Sequence, residues 1–229
     1  MVVLRALGAL LTYPRRELLA ALPEIHGVLA SSPLLNAVPR QHLERLIAEL
    51  SAGDPLDLEQ RYVSLFDTGR ATCLWLFEHV HGESRDRGQA MVDLKGIYER
   101  AGFHLAANEL PDYLPAVLEY LSYRDLTEAR DMLGDCAHIL RKIGGSLASR
   151  GSPYATVFDS LLVIAAQPGL ELPPAAVTEA ASPMTVAHVD DEWMEPPAFG
   201  PGSSGPAAER GVTPLRFMPR KARREGRPP

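Results

Sequence analysis

Apolar residues recur every three or four positions along most of the first 167 residues, which is the period of an amphipathic α-helix. One such stripe consists of Leu43, Leu46, Ile47 and Leu50. We find no run of alternating apolar and polar residues bounded by hairpin turns, so no β-sheet is predicted. The pattern therefore predicts an all-α fold with a single helical domain over residues 1–167.

Proline, glycine and capping residues predict several helix ends. Tyr13-Pro14 should end the first helix, because proline keeps the residue before it out of the helical conformation. A short second helix is predicted from Arg15 to about Leu22. Gly102 occupies the position of a C-terminal cap glycine, and Pro115 fits the first turn of a later helix. Thr127 is predicted to cap one long helix that reaches Leu147.

The composition changes at Pro168, where proline and glycine become frequent and the apolar period is lost. Residues 168–229 are therefore predicted to form a largely disordered tail. An acidic island at 190–200 interrupts this tail and contains Trp193 and Phe199. Burial of an isolated tryptophan is favourable, so the island is either a docking motif for a partner or a strap over the protein's own surface.

The charge and cysteine content exclude several classes of function. The net charge is −6 and the isoelectric point is about 5.7, which does not favour nucleic-acid binding. Two cysteines, Cys73 and Cys136, do not make a disulfide framework, so a cytoplasmic location is expected. The apolar stretch at 1–14 is interrupted by Arg5 and is too short to span a bilayer, so no stable membrane insertion is expected.

The densest group of potential metal ligands lies in the sequence Glu78-His79-Val80-His81-Gly82-Glu83, with Cys73 nearby. The spacing is poor for a metal, because helical residues two positions apart point in nearly opposite directions. The sequence also has no H-E-x-x-H or C-x-x-C motif. We therefore predict no metal site and no catalytic site, and a metal-dependent helical enzyme or sensor is kept as an alternative.

Ser84, Arg85 and Arg87 follow this group at the start of a predicted helix. Ser84 is predicted to be the N-cap, since it lacks the G-x-S-x-G context of a nucleophile. Arginines at a helix N-terminus oppose the helix dipole, so Arg85 and Arg87 form either a solvated first turn or a functional feature.

A second polar group combines carboxylates with tyrosines over positions 109–123. Its members are Glu109, Asp112, Tyr113, Glu119, Tyr120 and Tyr123. The pattern is compatible with ordinary helix caps on a solvated face. It is equally compatible with an acidic, aromatic-edged groove for a basic helix of a partner.

Several of these stretches together resemble the NarJ family, the assembly chaperones of respiratory nitrate reductase, within the wider TorD/DmsD group of redox-enzyme maturation proteins. The resemblance covers residues 5–165 and part of the tail island. It rests on YVSLFD (Tyr62–Asp67), LFEHVHGESRDRGQAMVDL (Leu76–Leu94), YERAGF (Tyr98–Phe103), ELPDYLPAVLEYL (Glu109–Leu121), LLTYP (Leu10–Pro14) and WMEPPAFG (Trp193–Gly200).

The resemblance implies a TorD-like, all-α cytoplasmic chaperone that is not an enzyme and binds no cofactor stably. Its implied partner is the catalytic (alpha) subunit of nitrate reductase, which it would bind through the N-terminal segment of that subunit. It would hold the apoenzyme ready for molybdenum cofactor and iron–sulfur insertion before membrane attachment. Cofactor-delivery proteins are further expected partners. A chaperone of another molybdoenzyme is the alternative within this class.

By position, the resemblance implies a peptide-binding groove with two sides. One side would consist of Tyr62, Phe66, Trp75, Phe77, Glu78 and His79. The other would consist of Asp112, Tyr113, Glu119 and Tyr120. Arg85 and Arg87 are motif residues without an assigned role.

Overall fold

The computed structural model describes residues 1–80, 85–106 and 109–173. In this part of the chain the fold is a single all-α domain, as predicted, and its only β-type pairing is one isolated bridge. None of the described helices combines the length and the hydrophobicity that a membrane span requires. The following predictions fall outside the described residues: the candidate ligands His81 and Glu83, the cap Ser84, and the tail island at 190–200.

The described residues form ten helices. They are α1 (Val2–Leu10), α2 (Arg16–Ser31), α3 (Ala37–Ala52), α4 (Pro55–Phe66), α5 (Leu76–Val80), α6 (Arg85–Arg100), α7 (Leu114–Ser122), α8 (Leu126–Asp135), α9 (Ala137–Ser149) and α10 (Ala155–Ile164). One continuous apolar core joins them, and α1 packs on α7 while α10 packs on α9.

Helix α2 continues well past its predicted end near Leu22 and includes Pro23. Proline in a helix interior costs about 3 kcal/mol. Leu22, Ile25 and Leu29 on the same helix are nevertheless buried, and each such side chain contributes about 1.5–3 kcal/mol. The free energy gained by burying these apolar side chains therefore outweighs the cost of Pro23, which is itself exposed to solvent.

The long helix predicted from Thr127 to Leu147 is in fact two helices, α8 and α9, which meet at Cys136. Cys136 has a φ of −90° and a ψ of −1°, which is outside the regular helical range. The N-cap is Asp125 and not Thr127, because the Asp125 carboxylate accepts a hydrogen bond from the Glu128 N–H at 2.8 Å. The prediction of one long helix was wrong, because the apolar period continues without interruption from α8 into α9.

Three other predicted helix ends are confirmed. Helix α1 ends before Pro14, and Pro115 lies in the first turn of α7. Gly102 has a φ of +75°, and the following Phe103 N–H donates to the Tyr98 carbonyl at 2.9 Å. This bond satisfies a helix carbonyl that the end of α6 would otherwise leave unpaired.

After α10 the chain turns back onto the helices through Ala166, which has a φ of +56°. We call residues 168–172, which are distinct from the tail island at 190–200, the strap. The Leu170 N–H of the strap donates to the buried Asp159 carboxylate at 2.7 Å, and Leu170 and Leu172 pack against the core. Packing onto the helical body therefore continues beyond residue 167, where the composition changes.

The close contact of α1 with α7 depends on Gly8, and this generates a stability prediction. A Cβ atom at Gly8 would lie 3.2 Å from the Leu118 Cβ, whereas a Cβ at Gly27 in α2 would meet nothing within 4 Å. Gly8→Val should therefore lower the free energy of unfolding by about 1–3 kcal/mol through overpacking. Gly27→Val, the matched control, should change it by less than about 0.5 kcal/mol in urea denaturation. Equal effects of the two substitutions would contradict this account of the α1–α7 contact.

Candidate functional site

Two extended stretches, one before α5 and one before α7, lie side by side. The Leu76 N–H donates to the Asp112 carbonyl at 3.0 Å, and the Leu114 N–H donates to the Leu74 carbonyl at 2.8 Å. These bonds make an antiparallel bridge between Trp75 and Tyr113. We call residues 74–76 and 112–114 the paired segments. They hold two stretches of the chain, almost 40 positions apart, in a fixed register.

Asp112, the first residue of the second paired segment, is fully buried. Its Oδ2 accepts the Phe77 N–H at 3.1 Å, while its Oδ1 is buried without a hydrogen-bond partner. Burial raises the pKa of Asp112, and the Phe77 N–H and the Arg87 charge oppose the rise. Asp112 therefore orients the start of α5 at a cost in desolvation.

Tyr98 on α6 binds the backbone of Pro111, the residue before Asp112. Its hydroxyl donates to the Pro111 carbonyl at 2.8 Å, and its ring lies 4.6 Å from the Tyr120 ring and 5.6 Å from the Phe103 ring. Tyr98 and Tyr120 are both buried. The packed rings of Tyr98, Tyr120 and Phe103 therefore support the second paired segment from the interior of the domain.

Trp75 and Tyr113 are half-buried, and their ring centroids lie 5.7 Å apart. We call these two rings the aromatic surface. Burial raises the pKa of Tyr113, and the charges of Asp67 and Glu109 raise it further. The negative charges of these two carboxylates therefore act on Tyr113.

Glu78 on α5 is bound by two arginines of the same chain. Arg70 Nε donates to Oε1 at 2.8 Å, and Arg87 Nη1 donates to Oε2 at 2.5 Å. The hydrogen bond from Arg70 is the main cause that lowers the pKa of Glu78. The cluster carries one net positive charge, so Glu78 is not available as an anionic group for a basic partner.

His79 contacts Cys73 through one ring nitrogen, which lies 2.9 Å from the Cys73 carbonyl oxygen and 3.4 Å from its Sγ. Burial lowers the pKa of His79 and raises the pKa of the Cys73 thiol. A thiol with a raised pKa is a poor nucleophile, because the thiolate is the reactive form. Among the described residues no group of three or more metal-ligating side chains occurs.

The structure divides the ten predicted groove residues into two sets. Five are buried in the core, namely Tyr62, Phe66, Phe77, Asp112 and Tyr120. The other five reach the surface, namely Trp75, Glu78, His79, Tyr113 and Glu119. In this conformation the first five do not line an accessible groove, because they lie on the inward faces of their elements, and the assignment of the peptide-binding residues stays a prediction.

The buried residues have structural partners instead. The Tyr62 hydroxyl donates to the Leu11 carbonyl at 2.8 Å, and the Tyr62 ring lies 4.9 Å from that of Phe66. The Tyr120 hydroxyl donates to Glu128 Oε1 at 3.0 Å. Of the two motif arginines, Arg87 pairs with Glu78, and the side chain of Arg85 lies outside the described residues.

Three further residues bear on the site although they are not among the ten predicted groove residues, and of these only Glu109 was in the acidic, aromatic group predicted at 109–123. Asp67 follows α4, Glu109 precedes the second paired segment, and Arg70 binds Glu78. Asp67 lies within the YVSLFD stretch and Glu109 begins ELPDYL, so both were visible in the sequence. Arg70 lies in an irregular loop, and no sequence period relates it to Glu78.

Comparison with known proteins gives consistent matches over the helical part of the chain. A family model described as "Nitrate reductase delta subunit" matches residues 33–160. The nitrate reductase molybdenum cofactor assembly chaperone NarJ of Escherichia coli K12 is 46% identical over 165 residues, which are 72% of this chain and 70% of that protein. The probable chaperone NarW of the same strain is 40% identical over 166 residues, 72% of this chain and 68% of that protein. The probable chaperone NarJ of Bacillus subtilis 168 is 32% identical over 157 residues, 69% of this chain and 84% of that protein.

The two arginines on Glu78 should contribute unequally to stability. Although the Arg70 hydrogen bond contributes most to lowering the pKa of Glu78, the Arg70 side chain is 62% exposed and that of Arg87 is 29% exposed, so water screens the Arg70 pair more strongly. A double-mutant cycle of Arg87→Met with Glu78→Gln should give a coupling energy of about 1–2 kcal/mol. The matched cycle with Arg70→Met should give less than about 1 kcal/mol. A larger value for Arg70 in urea denaturation would refute the ranking.

Asp112 should make stability depend on pH in a defined direction. Burial raises its pKa above the unfolded value of 3.8, so the folded chain binds this proton more tightly. The contribution of Asp112 to stability therefore decreases as pH rises from about 4 through the folded pKa. Asp112→Asn, which cannot titrate, should gain stability relative to the wild type over that rise, as measured by urea denaturation.

The control for this experiment is Asp93→Asn, which removes one carboxylate from the exposed side of α6. The relative stability of this variant should change less with pH than that of Asp112→Asn. A stability difference for Asp112→Asn that is flat or falls with increasing pH would show that the carboxyl is not penalised by burial.

Proposed function

This chain belongs to the family of NarJ nitrate reductase assembly chaperones, and on that basis we propose that it assists the assembly of a nitrate reductase with its molybdenum cofactor. Its client is the catalytic subunit of that enzyme. The chaperone acts in the cytoplasm, catalyses no reaction and holds no cofactor stably. Seven of the ten described helices, α3 to α9, lie entirely within the residues that the family model matches, which supports the transfer of the relatives' role.

We further propose that the chaperone binds the N-terminal segment of its client on the aromatic surface. The supporting observation is that Trp75 and Tyr113 are half-buried neighbours on two segments that the antiparallel bridge holds in register. Aromatic side chains at fixed positions provide much contact area at a low cost in conformational entropy, and they dominate many interfaces. The apolar face of an amphipathic segment would pack on these two rings.

Charge complementarity would then orient the bound segment. Asp67 and Glu109 act electrostatically on Tyr113 and are well placed to attract a basic residue beside the aromatic contact. Glu78 does not serve this purpose, because Arg70 and Arg87 already bind both of its oxygens. The exposed Glu119 on α7 is the remaining acidic candidate from the sequence.

Binding of the N-terminal segment would keep the client in an open form until the molybdenum cofactor and the iron–sulfur cluster are inserted. Membrane attachment would follow, and cofactor-delivery proteins would be transient partners. The buried Cys73 thiol and the engaged Glu78 carboxylate suit this non-catalytic role, since neither is presented as a reactive group. A chaperone of another molybdoenzyme remains the alternative that a panel of client segments can test.

The main test is calorimetry with a synthetic N-terminal segment of the nitrate reductase catalytic subunit. We expect a Kd of about 1–10 μM or lower for the wild type. Trp75→Ala and Tyr113→Ala should each weaken binding about tenfold or more, since both rings are central to the surface. Tyr123→Ala is the matched control, because that tyrosine is 60% exposed and lies after α7, so its removal should have little effect.

Three results would contradict the proposal in different ways. Absence of binding at tens of micromolar peptide would reject the N-terminal segment as the target. Equal losses for Trp75→Ala and Tyr123→Ala would move the site away from the aromatic surface. Tighter binding of the corresponding segment from another molybdoenzyme would reassign the client.

A further inference from the structure

The strap is held by body side chains that contact its backbone. Arg141 on α9 donates from Nη2 to the Pro168 carbonyl at 2.7 Å and from Nη1 to the Gly169 carbonyl at 3.2 Å. Asp159 on α10 accepts the Leu170 N–H at 2.7 Å. Three consecutive backbone groups of the strap are thus bound by one guanidinium and one carboxylate.

Two close contacts require glycine at positions 169 and 144. A Cβ atom on Gly169 would lie 2.5 Å from Asp159 Oδ1, so only a residue without a side chain fits over this carboxylate. A Cβ on Gly144 of α9 would lie 2.5 Å from Leu170 Cδ1 and 2.8 Å from Phe158 Cβ. The leucine therefore occupies the space that Gly144 leaves open beside Phe158.

We propose that Arg141, Gly144, Phe158 and Asp159 form a second peptide-binding seat, and that the strap is its internal, autoinhibitory occupant. The external ligand is a segment of another polypeptide in which glycine precedes leucine. Its backbone would make the hydrogen bonds that the strap makes now, and its leucine would lie over Gly144. The seat is built from α9 and α10 and does not depend on the aromatic surface or on the proposed client segment.

The strap can be replaced by another peptide because few of its atoms are buried against the helices. Leu170 and Leu172 are half-buried, and the other strap residues are exposed. Segments with few buried apolar contacts open locally without unfolding of the whole domain. Opening leaves the Asp159 carboxylate, whose pKa burial raises, without its N–H donor, and this favours capture of a new donor.

The charged and titratable groups around the seat come from several helices. His42 on α3 acts electrostatically on Asp159 and opposes the effect of burial on its pKa. Arg130 on α8 donates to the Ile164 carbonyl at 3.0 Å, and so fixes the end of α10 just before the strap. The seat itself is therefore held in place by residues that do not belong to the strap.

The test measures binding of a fluorescent peptide with the strap sequence Gln-Pro-Gly-Leu-Glu-Leu-Pro to full-length protein by polarisation. Gly169→Ala displaces the internal strap and leaves the seat unchanged, so this variant should bind the peptide at least tenfold more tightly than the wild type. An internal occupant competes at an effective concentration of about millimolar, which accounts for the weak binding expected of the wild type. A peptide with alanine in place of its glycine should not bind.

Variants of the seat complete the design. Adding Gly144→Ala to Gly169→Ala should abolish binding, whereas adding Gly145→Ala should not, since a Cβ at Gly145 meets nothing within 4 Å. Asp159→Ala provides a second seat variant if Gly144→Ala does not fold, and it should also abolish binding. Trp75→Ala should leave this binding unchanged, which separates the seat from the aromatic surface.

Three outcomes of the measurements on the wild type, Gly169→Ala and the seat variants would overturn the proposal. They are equal peptide binding by wild type and Gly169→Ala, binding that survives both seat variants, and no binding to any variant at millimolar peptide. The last result would mean that these side chains serve only to fasten the chain's own strap. Loss of binding in Trp75→Ala would also overturn it, because the peptide would then occupy the aromatic surface.

Discussion

The hydrogen-bonded pairing of the segments around Trp75 and Tyr113 is the contact on which the rest of the site depends. It joins the loop after α4 to the loop before α7, and it leaves both rings at the surface. Asp112 reinforces the pairing from inside through the Phe77 N–H, although its second oxygen is buried without a partner. An ionised carboxylate in this position costs stability, so the structure tolerates a local penalty to keep α5 oriented.

The stretches that identify the family serve the fold as much as the surface. YVSLFD contributes Tyr62 and Phe66 to the core, and ELPDYL contributes Asp112, whereas Tyr113 from the same stretch is only half-buried. Similarity of sequence therefore identifies the family but does not separate residues that bind a partner from residues that support them. This distinction requires the position of each side chain relative to its neighbours.

Much of the fold could be predicted because amphipathic periodicity is local. The all-α class, the end of α1 before Pro14 and the Gly102 cap all follow from such signals. The break at Cys136 could not be predicted, since the apolar period continues across it. Helix α2 continues through Pro23 because burial of the neighbouring apolar side chains outweighs the cost of the proline. The bonds of Glu78 to Arg70 and of Asp159 to the strap join residues whose separation has no helical period.

Trp75 has a consequence for how this protein can be observed. The chain has two tryptophans, and the described residues include only Trp75, whose indole ring lies beside the Tyr113 phenol at the boundary between core and solvent. Indole emission responds to polarity and to nearby quenching groups, so whatever covers this ring changes the intrinsic fluorescence. With Trp193 replaced by phenylalanine, the protein would carry a single native chromophore of this kind, at the surface where we place the client.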